Sequence, residues 1–398
     1  MSDPAWPAFP PGTSAGWWAG LWLFPVLFSI VYWLLTARWL RRRFRKQNRA
    51  IDAPEPAVFF RPVKRGVPEL EEKAARLLAA ARPGDQVLFG VDCEEDAHRC
   101  HAACCNAPPG VEWRIVPCPL PDTLSPNPKI TKLTAMAPHA LPECRAWILT
   151  DSEALLERDF MDRFRAEWVA EGGVLTAGYR FTGESNLPQR FDHLSVLLTF
   201  WPGLVAAERG GSLRFTLGAC TAFHREALDA VGGWDSFAPY LAEDHHLGNA
   251  LARHGLPVRL AREVLVLDSD PLTWGGFVRH QHRMALTYRV CNFWGTLGMG
   301  LTHGISFALL VALAQPASPF GWGLLALAVL VRTGTARSNA KVLGIHLSAP
   351  LPRLTAGILA ASLMETFFWL AAWLPLPVRW GNRRYRVFQG GGLREIPP

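Results

Sequence analysis

Apolar and polar positions follow two different patterns along this chain: long apolar runs near both ends, and short alternating segments between them. Between residues 56 and 270, five short segments are predicted as strands, at 57–60, 86–91, 112–117, 146–150 and 173–178, and the continuous apolar run 146–150 is typical of a strand buried on both faces. Amphipathic segments at 68–81 and 159–171 predict intervening helices. Strands that alternate with helices at this spacing predict a mostly parallel, doubly wound α/β sheet.

The N-terminal apolar run predicts a membrane anchor. Residues 16–37 carry no charge, and they are long enough to cross a hydrocarbon core of ~30 Å. No Lys or Arg precedes them, whereas seven positive charges follow between residues 38 and 49. Because basic flanks stay in the cytosol, residues 1–15 are expected outside and the linker 38–55 inside. This is the pattern of an uncleaved signal anchor.

The C-terminal third is apolar again, and 291–376 is predicted to form membrane helices. Residues 297–314 and 320–331 predict a helical hairpin through the bilayer. The run 358–376 contains Glu365 and precedes the basic tail 377–398. A span there would place the tail outside, so an interfacial or re-entrant segment is favoured. The chain is therefore expected to be a multi-pass protein of a bacterial inner membrane, with residues 56–290 as a cytosolic domain.

Composition supports this picture and narrows the partners. Hydrophobic residues make up 49% of the chain, charged residues only 19%, and there are 17 Trp, as in membrane proteins. The net charge of +7 equals the basic run at 38–49, so no nucleic-acid surface is expected. Cys100, His101, Cys104 and Cys105 crowd together, but no second ligand pair follows at zinc-finger spacing. Reduced cysteines on a helix face are the favoured interpretation.

The candidate chemistry begins at Asp151-Ser152-Glu153, directly after the predicted strand 146–150. Ligands of parallel sheets bind at the carboxyl ends of strands. Two carboxylates one residue apart there suit Mg²⁺ or Mn²⁺, and such an ion also grips a diphosphate. The alternative interpretation is an Asp that caps the following helix.

Four further clusters accompany this pair along the chain. They are the acid run Asp92–Asp96, the rigid loop from Ser125 to Lys129 with Asn127 and Pro128, the acids Glu243 and Asp244, and the basic segment Arg279–Arg283. Each has a structural alternative: Asp96 as an exposed helix residue, Asp244 as a charge at a helix N-terminus, and Arg283 as a membrane-flanking anchor. Their order along the chain favours function.

The segment 190–208 predicts a long helix with an apolar cluster that includes Trp201. Such a helix can lie in the membrane interface and guide a lipid towards the site. Alternatively, its apolar residues pack on the sheet or on the C-terminal helices.

The order of these motifs and the residues within them resemble those of glycosyltransferase family 21, the ceramide glucosyltransferases. The resemblance extends from the anchor to the C-terminus. The segment from Phe60 to Leu70 resembles the opening motif, Asp96 falls on the first acidic position, and Asn127-Pro128-Lys129-Ile130 matches an N-P-K-[IV] motif. Asp151 and Asp244 match the second and third acids, and the tail resembles W-R-x-x-R-Y-R with its glycines at Gly390 and Gly391. The final [QR]-x-x-R-W motif has drifted: Arg283 is kept, while His280 and Met284 replace its first and last residues. Glu153 stands where animal relatives tend to have Gly.

This resemblance implies a GT-A fold, which is Rossmann-like, tethered by one N-terminal span and C-terminal helices. It also implies transfer of a hexose, glucose in the first instance, from a UDP-sugar to a lipid hydroxyl such as that of ceramide, with inversion. The implied residues are Asp244 and Arg283 for catalysis, Asp96, Asn127, Lys129 and Asp151 for the donor, Asp151 and Glu153 for a divalent metal, and His280 and Trp201 for the acceptor.

Three alternatives share parts of this sequence pattern. A hopanoid-type enzyme that uses UDP-N-acetylglucosamine would differ only in its substrates. A processive polysaccharide synthase would need more membrane segments than the chain offers. An inactive lipid-binding relative would explain the drifted His280–Met284 motif, but not the retention of all four motif residues Asp96, Asp151, Asp244 and Arg283.

Overall fold

The fold is described from a computed structural model. It covers residues 14–44, 55–118, 127–183, 186–268, 271–380 and 383–396, with side chains from residue 22 onward. Most of the predicted N-terminal segment 1–15, most of the linker 38–55, and Ser125 with Pro126 of the predicted rigid loop lie outside these described residues.

The centre of the domain expected to be catalytic, residues 56–290, is a seven-stranded sheet. Its strands are β1 (Ala57–Pro62), β2 (Gln86–Val91), β3 (Glu112–Pro117), β4 (Ala146–Thr150), β6 (Val174–Thr176), β8 (Cys220–His224) and β9 (Val258–Leu260). The spatial order is β3-β2-β1-β4-β8-β6-β9. All neighbours pair in parallel except β8, which is antiparallel to both β4 and β6. A second sheet holds β5 (Ala154–Leu155), β7 (Tyr179–Thr182) and β10 (Leu265–Asp268).

Helices cover both faces of this sheet. In the catalytic domain they are α2 (Leu70–Ala80), α3 (Glu94–Cys104), α4 (Pro128–Met136), α5 (Arg158–Glu171), α6 (Leu187–Ser195), α7 (Trp201–Arg209), α8 (Arg225–Ala230), α9 (Glu243–Arg253) and α10 (Trp274–Cys291). A π-helical stretch, Val196–Phe200, joins α6 to α7. Successive residues of the central strands enter opposite cores: Phe60 and Leu149 pack on one face, Phe59 and Ile148 on the other. This burial on both faces explains the continuous apolar runs of the sequence.

The predicted α/β pattern is confirmed, in places to the residue. The strands at 86–91, 112–117 and 146–150 have the predicted bounds, although β3 at 112–117 is mostly exposed. The predicted long helix 190–208 is present, although its middle turn is π-helical. Cys100 and Cys104 are reduced and buried on α3, and burial raises the pKa of each thiol to about 12. These two cysteines behave as core residues.

The membrane region contains α1 (Ser14–Arg43), α11 (Phe293–Met299), α12 (Gly304–Ala314), α13 (Pro319–Val342) and α14 (Leu351–Ala371). Three of these helices, α1 from Trp22 on, α13 and α14, are long and apolar enough to cross a membrane. The pair α11 and α12 passes the same test together but bends by 49°. Helices α1, α12 and α13 share one apolar cluster that includes Val26, Ile305 and Leu324.

The helix α14 begins and ends beside the catalytic domain. Near its start, Leu354 and Ile358 join the same core as the central sheet. Seven residues after its end, Val378 packs against Leu286 and Val290 of α10. Its acidic residue Glu365 is 3.3 Å from Arg332 of α13, which neutralises the charge that interrupts this run in the sequence. The helix is unbroken from Leu351 to Ala371, whereas a break with a bend lies at 293–314, and the interfacial or re-entrant position expected for 358–376 stays a prediction.

The C-terminal tail folds back onto the catalytic domain as a three-stranded antiparallel sheet, β11 (Val378–Trp380), β12 (Arg383–Val387) and β13 (Leu393–Ile396). We call the turn between β12 and β13, residues 388–392, the tail turn. Its Gly391 carbonyl accepts a hydrogen bond from the Leu241 N–H at 2.9 Å, and the Gly390 N–H donates to Val290 O at 3.0 Å. The tail turn therefore joins the segment before α9 to the end of α10.

Candidate active site

The site lies where β4 ends and α4 begins. The Lys129 ammonium is 2.8 Å from Asp151 Oδ1, 3.2 Å from Gly218 O and 3.3 Å from Glu243 Oε1. Burial opposes the charge of Lys129, but Asp151, Glu243 and Asp244 outweigh it and raise the pKa of its ammonium. Lys129 therefore stays charged, and three acids from two separate elements, the end of β4 and the start of α9, lie around it.

Glycine at position 218 makes this gathering possible. A Cβ at Gly218 would lie 2.7 Å from Lys129 Nζ and 3.2 Å from Asp244 Oδ2. The first distance is shorter than real Cβ contacts allow, so any other residue would push the ammonium away.

Asp244 stands at the start of α9 with both carboxylate oxygens facing backbone donors. The Gly218 N–H donates to Oδ2 at 2.9 Å, and the His245 N–H donates to Oδ1 at 2.8 Å. Burial and the neighbouring Glu243 raise the pKa of Asp244 to about 6, against the opposing effect of Lys129. A carboxyl group with this pKa is ionised at neutral pH yet basic enough to accept a proton.

Asn127 supports the site through hydrogen bonds to neighbouring protein groups. Its Oδ1 caps α4 by accepting from the N–H groups of Lys129 and Ile130. Its amide nitrogen donates to Glu243 Oε2 at 2.9 Å and to Tyr240 O at 3.1 Å. The side chain is fully buried, and the donor contact expected for Asn127 stays a prediction. Its hydrogen-bonding capacity is used to hold Lys129 and Glu243 in place.

Arg283 and His280 enter from α10, one helical turn apart. Arg283 Nη2 lies 3.5 Å from His280 Nδ1. Burial lowers the pKa of Arg283, while Glu243, Glu153, Tyr179 and Asp192 oppose this shift. The guanidinium is thus surrounded by acids of the site. Burial also lowers the pKa of His280, so its imidazole is neutral near pH 7.

Each of the two predicted metal ligands forms an ion pair with a lysine. Besides the contact of Asp151 with Lys129, Glu153 Oε1 is 2.6 Å from Lys64 Nζ on the exposed rim. Carboxylate oxygens at a strand end are the hard donors that Mg²⁺ and Mn²⁺ prefer, so the donor chemistry of Asp151 and Glu153 fits such an ion. Among the described residues, Asp92, Cys93 and Asp96 form a further group of closely spaced donors. Lys132 and Arg65 already neutralise Asp92 in that group.

Asp96 lies under the loop that follows β1. Its carboxylate accepts from the Gly66 N–H at 3.3 Å and from Cys93 Sγ at 3.2 Å, and it lies 3.4 Å from Arg99 Nη1. The residue is buried, which rules out the exposed helix position considered for it. Gly66 covers the carboxylate in this conformation.

Trp201 does not face the membrane. Its side chain is 0% exposed, and its Nε1–H donates to Tyr179 O at 2.9 Å. The ring fills the space above Gly178, where a Cβ would lie 2.4 Å from it. Leu197, Leu198 and Leu204 are buried in the same core. This burial in the core supports the alternative of packing on the sheet, and the acceptor role expected for Trp201 stays a prediction.

The structure thus brings Lys129, Asp151 and Asp244 to one place. Arg283, beside His280, is close enough to Glu243 and Glu153 for their charges to act on it. Sequence reasoning missed two acids of this region. Glu243 was visible beside Asp244 but had no assigned role, although it contacts both Lys129 and Asn127. Asp192 of α6, which approaches His280, gave no signal, because a single acid in an amphipathic helix is common.

Similarity to known proteins agrees with this geometry. The sequence model of the family described as "Glycosyl transferase family 21" matches residues 21–393, which is nearly the whole chain. The chain belongs to glycosyltransferase family 21. Among curated proteins, none matches it.

Two solved structures similar to this family 21 glycosyltransferase are bound to nucleotide sugars. One is the mannosyltransferase PcManGT from Pyrobaculum calidifontis in complex with GDP-Man and Mn²⁺, with 18% identity, a TM-score of 0.48, and coverage of 89% of this chain and 97% of that chain. Another is TarS 1–349 from S. aureus in complex with UDP-GlcNAc, with 10% identity, a TM-score of 0.37, and coverage of 86% and 99%. The family 21 protein itself has the mixed α/β, mostly parallel sheet and the apolar N-terminal helix expected from its sequence.

Proposed function

We propose that this glycosyltransferase transfers a hexose from a UDP-sugar to the hydroxyl group of a membrane lipid such as ceramide. The observation that carries the proposal is the convergence of Lys129, Asp151 and Asp244 around Gly218, beside Arg283 on a helix that packs against the membrane region. Cations for a diphosphate and a base for a hydroxyl stand side by side there, which is what transfer from a nucleotide sugar to an alcohol needs.

In the proposed reaction, the acceptor oxygen attacks the anomeric carbon while the bond from that carbon to the UDP oxygen breaks. Asp244 takes the proton of the acceptor hydroxyl, and UDP leaves with the bonding electron pair. One direct displacement inverts the anomeric centre. The raised pKa of Asp244, about 6, suits a base that works near neutral pH.

The departing diphosphate develops negative charge that the site must stabilise. Lys129 supplies a fixed ammonium, and Arg283 supplies a second cation from α10. Asp151 and Glu153 would hold Mg²⁺ or Mn²⁺, which, when bound, neutralises diphosphate oxygens as a Lewis acid. Asp96 is assigned to the uracil and ribose side of the donor, as the family resemblance implies.

The same proposal assigns a membrane topology. Helix α1 crosses the membrane towards the catalytic domain. The bent pair α11 and α12 crosses back beside α1, and α13 crosses a third time to the side of the catalytic domain. Phe307 stacks on Trp22 near the far end of α1, as this course requires. Because both ends of α14 meet the catalytic domain, α14 lies along the membrane surface and the basic tail remains on the catalytic side. The basic residues 38–49 place that side in the cytosol.

A transfer assay with the purified protein tests this function. UDP-glucose, UDP-galactose and UDP-N-acetylglucosamine are each offered with ceramide, diacylglycerol and a hopanoid alcohol, and the products are resolved by mass spectrometry. We expect hexosylceramide formed from UDP-glucose. Transfer of N-acetylglucosamine to the hopanoid would replace this substrate assignment. Lipid binding without transfer from any donor would contradict the proposed enzyme activity.

A further inference from the structure

The helix α9 begins with two acids of the site but has no side-chain cap of its own. Its N-cap position is Ala242, which offers no side-chain acceptor, whereas α4 is capped by Asn127. Glu243 and Asp244 follow directly as the first two residues of the helix. The position of both carboxylates therefore depends on how the segment that leads into α9 is held.

The tail turn and the start of β13 hold this lead-in segment. The Leu241 N–H donates to Gly391 O at 2.9 Å, and the Leu393 N–H donates to Pro239 O at 2.8 Å. The residues between these two bonds form an antiparallel bridge. The segment before α9 thus has a backbone partner that comes from the C-terminal end of the chain.

The middle residue of the lead-in segment, Tyr240, also contacts the site. Its carbonyl accepts from Asn127 Nδ2 at 3.1 Å, and the same amide nitrogen donates to Glu243 Oε2 at 2.9 Å. Its ring stacks on His246 in the first turn of α9, with the ring centroids 3.7 Å apart. A shift of the lead-in segment would therefore move the start of α9.

Gly391 lies against this first turn of α9 with little space around it. It is buried, and its φ of 82° is in the left-handed region that favours glycine. A Cβ there would lie 3.1 Å from His246 Nε2, and 3.7 Å from Cys291 Sγ at the end of α10. At 3.1 Å the histidine ring would have to move, so glycine allows the tail turn to fit between α9 and α10.

We propose that the tail turn is a positioning element for catalysis, because its contacts with the lead-in segment determine where the Asp244 carboxylate lies relative to the reacting hydroxyl. This inference rests on the proposed role of Asp244 as the base. Asp244 Oδ2 also accepts from the Gly218 N–H at 2.9 Å, so a shift of α9 would disturb the site on that side as well. A base must lie within hydrogen-bond reach of its proton, which makes small displacements costly.

The test changes the tail turn and measures chemistry separately from donor binding. In Gly391→Ala the added methyl group would press on His246 and shift the start of α9. We expect kcat for transfer from UDP-glucose to short-chain ceramide to fall about 10- to 100-fold. The Kd for UDP, measured by calorimetry, should stay at the wild-type value, because the cations assigned to the diphosphate are not on α9.

A matched variant separates positioning from backbone strain. Gly255 lies just beyond the other end of α9 and has a similar φ of 89°, but a Cβ there meets nothing within 4 Å. Gly255→Ala should therefore keep the wild-type kcat although it carries the same kind of strain. Leu393→Pro, which deletes the donor to Pro239 O, should instead lower kcat as Gly391→Ala does.

A double variant tests whether the tail turn acts through the base. In Asp244→Asn no carboxylate remains to be positioned, so adding Gly391→Ala should lower the residual kcat by less than about threefold. Full multiplication of the two losses would overturn the proposal, and so would wild-type kcat in either Gly391→Ala or Leu393→Pro. Weaker UDP binding in parallel with the loss of kcat would show a general disruption, and it would overturn the proposal as well.

The same measurements distinguish this inference from the function on which it rests. Near-normal turnover in Asp244→Asn would overturn the proposed base and this inference with it. A wild-type protein that transfers no hexose to any lipid would overturn the proposed function itself. Normal turnover in Gly391→Ala, together with a large loss in Asp244→Asn, would overturn only the role of the tail turn.

Discussion

The Lys129 ammonium and the Asp151 carboxylate, 22 positions apart in sequence, lie 2.8 Å from each other at the centre of the site. Each comes from the end of a regular element: Asp151 follows β4, and Lys129 is the second residue of α4. The N-cap of Asn127 fixes the start of α4, so the lysine reaches the strand end without a flexible loop of its own. The positive charge for a diphosphate is therefore built into the fold.

The proposed metal requirement can be tested by changing one residue of this contact, Asp151. We expect excess chelator to abolish transfer and Mg²⁺ or Mn²⁺ to restore it, because two anionic phosphates need more positive charge than Lys129 alone provides. Asp151→Ala should lose about a hundredfold or more in kcat, and its residual activity should not respond to added metal. Steady-state kinetics across a metal titration measure both effects. Full wild-type activity in chelator would leave Lys129 and Arg283 as the neutralising groups.

Asp244 is the proposed base, so its carboxylate should matter for chemistry and little for donor binding. We expect Asp244→Asn to lower kcat by about 10²- to 10⁴-fold. The dissociation constant for UDP, measured by calorimetry, should stay close to that of the wild type, because Lys129 and Asp151 remain. Near-normal turnover in this variant would remove Asp244 from the role of base.

The pH dependence of transfer follows from the same residue. Burial and Glu243 raise the pKa of Asp244 to about 6, and only the ionised carboxylate can accept a proton. The rate should therefore rise as pH increases through about 6 and level off above pH 7. A pH–rate profile of kcat/KM for the acceptor measures this limb, and it should vanish from the residual activity of Asp244→Asn. A wild-type rate that stays constant from pH 5 to pH 7 would contradict the assignment.

Gly218 offers a change that distorts the site and leaves the fold intact. In Gly218→Ala the new methyl group would displace Lys129 Nζ, the mobile end of its side chain, from Asp151. We expect about a hundredfold loss of activity with little change in melting temperature, because small displacements of a positioned charge are costly in the transition state. Gly203→Ala on α7, where a Cβ meets nothing within 4 Å, is the matched control and should be fully active. Equal effects of both changes would mean that the packing at Gly218 is unimportant.

The topology can be measured with cysteine labelling in intact cells. We expect Ala317→Cys, between α12 and α13, to react with an impermeant maleimide, and Phe388→Cys in the tail turn to stay unlabelled until the cells are opened. An engineered cysteine near Asn382, which lies outside the described residues, should behave like Phe388→Cys. The exposed native Cys105 of the catalytic domain is an internal reference for the cytosol. Labelling of Phe388→Cys from outside would mean that α14 spans.

The sequence was sufficient to predict elements whose residues are all buried to the same degree. Strands such as Ala146–Thr150 are buried on both faces, so every residue is apolar or β-branched and the ends are marked by carboxylates. Asp151, Lys129 and Asp244 follow such strands or begin helices, positions where the sheet itself directs polar residues to one edge.

Other outcomes depended on contacts between distant segments. An apolar helix face gives the same pattern whether it meets a sheet or a bilayer, which is why Trp201 was assigned to the membrane although Gly178 leaves room for its ring in the core. In the sequence, Glu365 interrupts an apolar run. Its partner Arg332 lies 33 positions earlier, so the ion pair between them is visible only in the structure. The grouping of Asp192 with Gln281 depends on how α6 packs against α10, which no local pattern encodes.

The tail turn also sets the order in which this enzyme can mature. Leu241, two residues before the acids of α9, has its backbone partner at Gly391, 150 positions later. During synthesis, the N–H of Leu241 can therefore gain this hydrogen bond only after residue 391 has been added. The segment that leads into α9 is thus completed by one of the last parts of the chain to be made.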